Sequence, residues 1–365
     1  MQPLLDLVRG RLQPQPFDDA EWAALLDLAE EENILPWAVD RLRALETSCT
    51  EKQKTQLDEI RRQSQLEAFV WAETLKSLLA AFDRAALPVI SLKGPWLAER
   101  LYGDAALRTC CDLDLLVRRS DLAAAEQLLA DLGFVPNFAN DYHREWSRHP
   151  IKVELHHNVE NPLAFNFDLD TVWARARLSC FDGVPAWLFD PTDEFVYLCL
   201  HAVRHCFERL CHILDLTLAI RVLTGSVAGT REWDNPELQN TVTLGWMMAR
   251  RLEPQIPEAM FVYPGDRIRL EKLADKLWQK RMLEPAETLN WVVQHRFYLE
   301  LETPGWQRLL RRGRHLVILL LLVPRLCDED FAFAELFKLH RRWQVRMVKP
   351  IRLFMKYFKA SSRTI

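Results

Sequence analysis

The sequence predicts an α+β protein, with a small mixed sheet over residues 87–190 between an N-terminal helical region (1–86) and a C-terminal helical region with a basic tail (191–365). Three observations predict it. Apolar residues recur at helical spacing before Leu87 and again after Pro191. Short alternating runs lie between those stretches. Pro88 and Pro191 stand where the pattern changes.

In the first region, Trp22, Leu25, Leu26 and Ala29 follow the acidic start Asp18-Asp19 at helical spacing. A second helix over Glu51–Arg84 places Leu57, Ile60, Leu66, Phe69, Val70, Leu75 and Leu78 on one broad apolar face. Pro88-Val-Ile-Ser-Leu is a short strand, Lys93-Gly94-Pro95 a tight turn, and Trp96 to Tyr102 a helix. Cys111-Asp-Leu-Asp-Leu-Leu-Val alternates as a strand, so Asp112 and Asp114 share one face. Asp121 to Leu132 is an amphipathic helix closed by Gly133. Three further strands are expected over Phe134 to Phe138, Tyr142 to Ser147 and Ile151 to His156, with helices on one side of the sheet. Beyond Pro191, helices are expected to start at Pro191 and near Cys211, and to fill 234–252, 268–282, 285–300 and the tail.

Composition sets bounds on function. With 49% apolar and 27% charged residues, the chain is globular rather than disordered. The net charge of −4 is unevenly placed. Residues 306–365 hold fourteen Lys/Arg and four Asp/Glu, a net +10, which leaves −14 on the rest. Such a tail suits a self-contact, an anionic partner or peripheral membrane contact, or is simply a solvated helix face. The longest apolar run, Leu316 to Pro324, is far short of the ~20 residues that span a bilayer, so no transmembrane segment is expected. Eight cysteines without paired spacing, and a start without a signal-peptide pattern, fit a reducing cytoplasm. Neither G-x-G-x-x-G nor G-x-x-x-x-G-K-[ST] occurs, which removes the main support for Rossmann and P-loop readings.

The sharpest chemical feature is Asp112-x-Asp114 on a strand. Adjacent carboxylates repel, and a hard divalent cation resolves the repulsion by taking oxygen ligands together with substrate phosphates. Alternation in Ile151-Lys-Val-Glu-Leu-His puts Glu154 on the same face as Lys152 and His156, so Glu154 is the candidate third carboxylate. Ser91-Leu92-Lys93-Gly94 sits at a strand–turn–helix junction whose amides suit phosphate, with Lys93 adding charge. Arg108 is a second candidate for triphosphate oxygens. Cys111 is expected to pack inward, opposite Asp112.

The order V-I-S-L-K-G-P-W-L-A-E-R-L-Y-G-D, R-T-C-C-D-L-D-L-L-V, L-L-A-D-L-G-F and V-E-L-H-H resembles the uncharacterised nucleotidyltransferase family of the DNA polymerase beta-like superfamily. The resemblance continues through L-C-L-H-A-V-R-H-C-F-E-R-L to L-D-L and covers roughly residues 86–225. It implies a nucleotidyltransferase core with Asp112 and Asp114 as ligands of Mg2+ (or Mn2+), and a nucleoside triphosphate (NTP) as substrate. It departs from the superfamily in having Lys93-Gly94 where a Gly-Ser turn meets the triphosphate. It departs from its own family in Glu154, where Asp is frequent. Family members are commonly encoded near polysaccharide or peptide natural-product biosynthesis genes. The resemblance also implies that His201, His205 and Asp215 face the cleft, with His201 or His205 contacting phosphate or acceptor. Read from spacing alone, His201, His205, Cys206, Cys211 and His212 match no zinc module, and structural zinc is not expected.

These residues predict transfer of a nucleoside monophosphate from NTP to a hydroxyl of an unidentified acceptor. A non-catalytic nucleotide-sensing or partner-binding module is one alternative. An RNA-directed nucleotidyltransferase, suggested by Trp343, Phe354, Tyr357 and Phe358 among the basic tail residues, is the other; nucleic acid is the less favoured partner because the body is acidic.

Overall fold

The computed structural model describes residues 1–13, 16–45, 49–139, 142–159, 168–222, 236–257, 267–283 and 301. The expected helix over 285–300 and the basic tail lie outside them. The chain divides into two compact units, Met1–Glu287 and Thr288–Ile365, and all the described residues but one belong to the first.

Four helices open the chain: α1 (Gln2–Val8), α2 (Asp19–Glu31), α3 (Leu35–Arg43) and α4 (Glu51–Arg84). Their starts follow from local chemistry. Asp18 and Thr50 each accept hydrogen bonds from first-turn amides, and Glu21 and Gln53 reach back to the capping residue's amide. The α4 span agrees with its expected bounds, but its apolar face does not. Leu57, Leu75 and Leu78 are buried, whereas Leu66, Phe69 and Val70 are exposed. A helix of 34 residues is about 50 Å long, and near its middle the side bearing Leu66, Phe69 and Val70 is left exposed while Trp71 and Ala72 pack on the core.

The sheet has seven strands in the order β3-β4-β5-β2-β1-β7-β6. They are β1 (Ile90–Ser91), β2 (Leu113–Leu116), β3 (Val135–Ala139), β4 (His143–Arg148), β5 (Ile151–His156), β6 (Arg177–Phe181) and β7 (Val184–Leu188). β2 runs antiparallel to β1 and parallel to β5, and β1 runs parallel to β7. Between these strands lie α5 (Gly94–Tyr102), α6 (Leu122–Asp131) and α7 (Leu169–Arg175). The β6–β7 hairpin and α7 had no counterpart in the sequence reading. The hairpin turns on Asp182-Gly183, both at positive φ, as a two-residue turn between twisted strands requires.

Leu113, Leu115, Val117, Val153 and Leu155 point to one side of the sheet, where they pack with Leu75, Leu78, Leu79 and Phe82 of α4 and Ala125 and Leu129 of α6. Asp114, Glu154 and His156 take the other side by alternation. Four more helices follow: α8 (Pro191–Arg204), α9 (Leu210–Val222), α10 (Pro236–Leu252) and α11 (Arg267–Leu283). α8 carries His201 to the carboxylate side, so helices serve both faces rather than the single one expected. Among the described residues no helix is long and apolar enough to cross a membrane, and the seven described cysteines are free.

Candidate active site

Strand register assembles the acidic cluster. Asp114 lies directly opposite Glu154 across the parallel β2–β5 pair, and Leu116 opposite His156. One ligand atom each from Asp114, Glu154 and His156 fall within 4.8 Å of one another, a spacing that one cation can bridge. Asp112 precedes β2 by one residue and is half-buried.

Positive groups balance these carboxylates. The Lys93 ammonium is 2.9 Å from Asp114 Oδ2, and His156 Nε2 is 3.1 Å from Asp114 Oδ1 and 3.5 Å from Glu154 Oε2. Lys152 Nζ is 3.1 Å from both Glu154 and Glu145. Burial pushes the Asp114 carboxyl up, but Lys93 and His156 together hold it well below the usual carboxylate range. Burial likewise acts on Glu154, and the His156 hydrogen bond brings it down to about 2. For Asp112, burial, then repulsion from Asp114, outweighs the Lys93 charge and pushes it up to about 6. His156 is buried, which disfavours its charged form, yet its bonds to Asp114 and Glu154 raise it. Its Nδ1 faces the Asn158 carbonyl at 3.3 Å, so Nε2 is the nitrogen turned to the carboxylates.

At the end of β1, Ser91 Oγ donates to the Lys93 carbonyl at 3.2 Å, which tightens the turn into α5. Gly94 has φ +74, a conformation that residues with a Cβ rarely adopt, so the turn favours glycine. The turn buries Lys93 between the two sides of the site: its ammonium is also 2.9 Å from His201 Nε2.

Arg108 sits apart from this cluster. Its Nε and Nη2 form a two-pronged pair with Asp215, at 3.0 Å and 2.9 Å, and Tyr102 donates to Asp215 at 2.6 Å. Asp215 therefore ties the end of α5 and the segment before β2 to α9. Cys111 is exposed and Cys110 packs on the core, a correction to the expected inward Cys111. β2 begins only at Leu113, so strand alternation does not extend back to position 111.

Three residues were not read as parts of the site. His143 lies opposite His156 on β4, with ring centroids 5.2 Å apart, and burial holds it down at about 4. Tyr197 on α8 has a buried hydroxyl with no hydrogen-bond partner among the described residues; burial and the nearby Asp114 raise its pKa. His212 joins His201 and His205. Alternation on β4 could have indicated His143; the other two depend on how helices pack.

Two solved chains match part of this one: a crystal structure of ANT(2")-Ia in complex with adenylyl-2"-tobramycin, and a solution structure of the antibiotic-resistance factor ANT(2'')-Ia. Each is 17% identical and matches 42% of this chain; the matches span 88% and 85% of those chains at TM-scores of 0.33 and 0.34. No curated protein matches significantly. The model of the uncharacterised nucleotidyltransferase family matches residues 18–252, a span that holds the whole sheet, the carboxylates and Lys93, and the chain belongs to that family.

Proposed function

We propose that the chain moves a nucleoside monophosphate from a nucleoside triphosphate to an acceptor hydroxyl and releases pyrophosphate, using Mg2+ or Mn2+. The observation that carries this reading is the β2–β5 register, which sets Asp114 beside Glu154 with Asp112 two residues upstream. Carboxylate oxygens at that spacing fit a hard cation. Asp112, Asp114 and Glu154 would hold it. A bound ion supplies charge neutralisation at the triphosphate and makes the attacking hydroxyl more acidic.

The chain's own groups do the rest. His156 orients the Asp114 carboxylate through its 3.1 Å contact. Glu154 stays ionised down to about pH 2 and orients the acceptor hydroxyl. Lys93 meets the triphosphate oxygens, and the Gly94 amide at the start of α5 adds a donor. Ser91 supports that turn without touching substrate. Arg108 is left out of this set because the Nε–Nη2 edge of its guanidinium is taken by Asp215. Asp215 in turn serves as a clamp, not a group facing substrate.

The test is calorimetric titration of ATP, GTP, CTP and UTP with Mg2+ into wild type and Asp112→Asn/Asp114→Asn. The reading expects metal-dependent binding of at least one nucleotide, weakened on the order of 10²–10³-fold in the variant. Binding that is equally tight in the variant, or independent of Mg2+, overturns it.

A further inference from the structure

Lys93, paired with Asp114, also contacts His201, and there three imidazoles converge. His201 lies in the last turn of α8 and His205, four residues on, caps its end. Cys206 and Phe207, at φ 49 and 54, then reverse the chain, and α9 begins at Leu210 with His212 in its first turn. The ring centroids of His201 and His205 are 4.7 Å apart, those of His205 and His212 4.9 Å, and those of His201 and His212 5.4 Å. One ring nitrogen from each lies within 4.8 Å of the other two.

Several features of this cluster are those of ligands rather than of packing. His212 is 8% exposed, and its Nδ1 is buried with no hydrogen-bond partner among the described residues. An orphaned polar nitrogen in a protein interior is costly unless something binds it. His205 Nδ1 faces Glu208 Oε1 at 3.4 Å, the carboxylate-behind-histidine arrangement that aims the other nitrogen at a cation. Burial holds His201 and His212 well below the usual imidazole range. Lys93 donates to His201 Nε2, so an ion at the cluster takes the place of that ammonium as the partner of His201. Neutral imidazoles are poor partners for phosphate and poor ligands for magnesium, which takes oxygen. They suit a borderline ion bound about 2.0–2.1 Å from each nitrogen, which a small rotation of each side chain allows.

We infer that His201, His205 and His212 form a second metal site, separate from the carboxylates, for a zinc-class divalent ion with one coordination position open to water or an anionic ligand. Among the described residues no cysteine belongs to the converging set, although Cys206 and Cys211 lie close to the histidines in sequence. Two helices supply the donors, which is why the linear spacing matches no known module.

Metal-free full-length protein titrated with Co2+ in excess Mg2+ tests this, with the visible absorption of low-coordinate cobalt as readout. One saturable equivalent is expected, displaced by Zn2+. Asp112→Asn/Asp114→Asn should retain the band, which keeps this result independent of the nucleotide reading. His205→Gln, at a part-exposed side chain, and His212→Gln should each weaken Co2+ binding at least about 100-fold while circular dichroism shows folded protein. Loss of the band in the aspartate variant with retention in both histidine variants would place the cation at the carboxylates and overturn the inference. Absence of saturable Co2+ and Zn2+ uptake by folded wild type would do so as well.

Discussion

The carboxylate face and the imidazole cluster both reach one ammonium, yet different rules build them. Asp114, Glu154 and His156 belong to two paired strands, where a period of two fixes the side each residue takes and hydrogen-bond register fixes its neighbour. His201, His205 and His212 meet only because the chain reverses between α8 and α9. A strand site is therefore stiff along its length, while a site between helices depends on whatever holds the helices in place.

That dependence sets the largest expected effect. Asp215 pairs with Arg108 and Tyr102 from the same helix that bears His212. Asp215→Asn should leave the buried Arg108 charge without its partner and lower stability by about 3–5 kcal/mol, measured by urea denaturation. In the protein that stays folded, Co2+ affinity should fall while Mg2+-dependent nucleotide affinity holds. Equal losses at both places would mean that the two regions share one scaffold.

A smaller effect isolates the strand side. His156→Asn removes the partner that orients Asp114 and Glu154. Mn2+ affinity at the carboxylates should drop about 10–100-fold, with Co2+ at the imidazoles unchanged. Unchanged Mn2+ affinity would reduce His156 to a packing residue.

The smallest effect concerns pH. Burial holds His143 at about 4, whereas the unfolded chain takes up that proton near 6.5. The folded-state value is the lower one, so the contribution to stability is complete above 6.5 and is lost as pH falls towards about 4. Lowering pH from 7.5 to 5 should therefore reduce the melting temperature of wild type more than that of His143→Asn. Parallel curves would show that folding leaves the proton affinity of His143 unchanged.

The same contrast explains what was legible. The α+β class, the α4 bounds, β5 and the shared face of Asp114 and Glu154 all follow from local periodicity, and periodicity is written in the sequence. The β6–β7 hairpin was legible too, since Asp182-Gly183 is a strong turn signal, but it went unread. The exposed Leu66, Phe69 and Val70 were beyond reach, because periodicity shows which face is apolar and not how far the partner surface extends. Arg108 shows the same limit. Its charge suggested phosphate, and only the packing of α9 brings Asp215 to it.

Lys93 has a consequence for genetics. Its ammonium lies 2.9 Å from Asp114 and 2.9 Å from His201, so either residue's removal changes what Lys93 offers the other. Substitutions at positions 114 and 201 should be epistatic: the double variant will differ from the sum of the singles, although the two side chains serve different regions. A sequence lineage that alters one of them changes the selective value of the other, and Lys93 is the position through which that dependence passes.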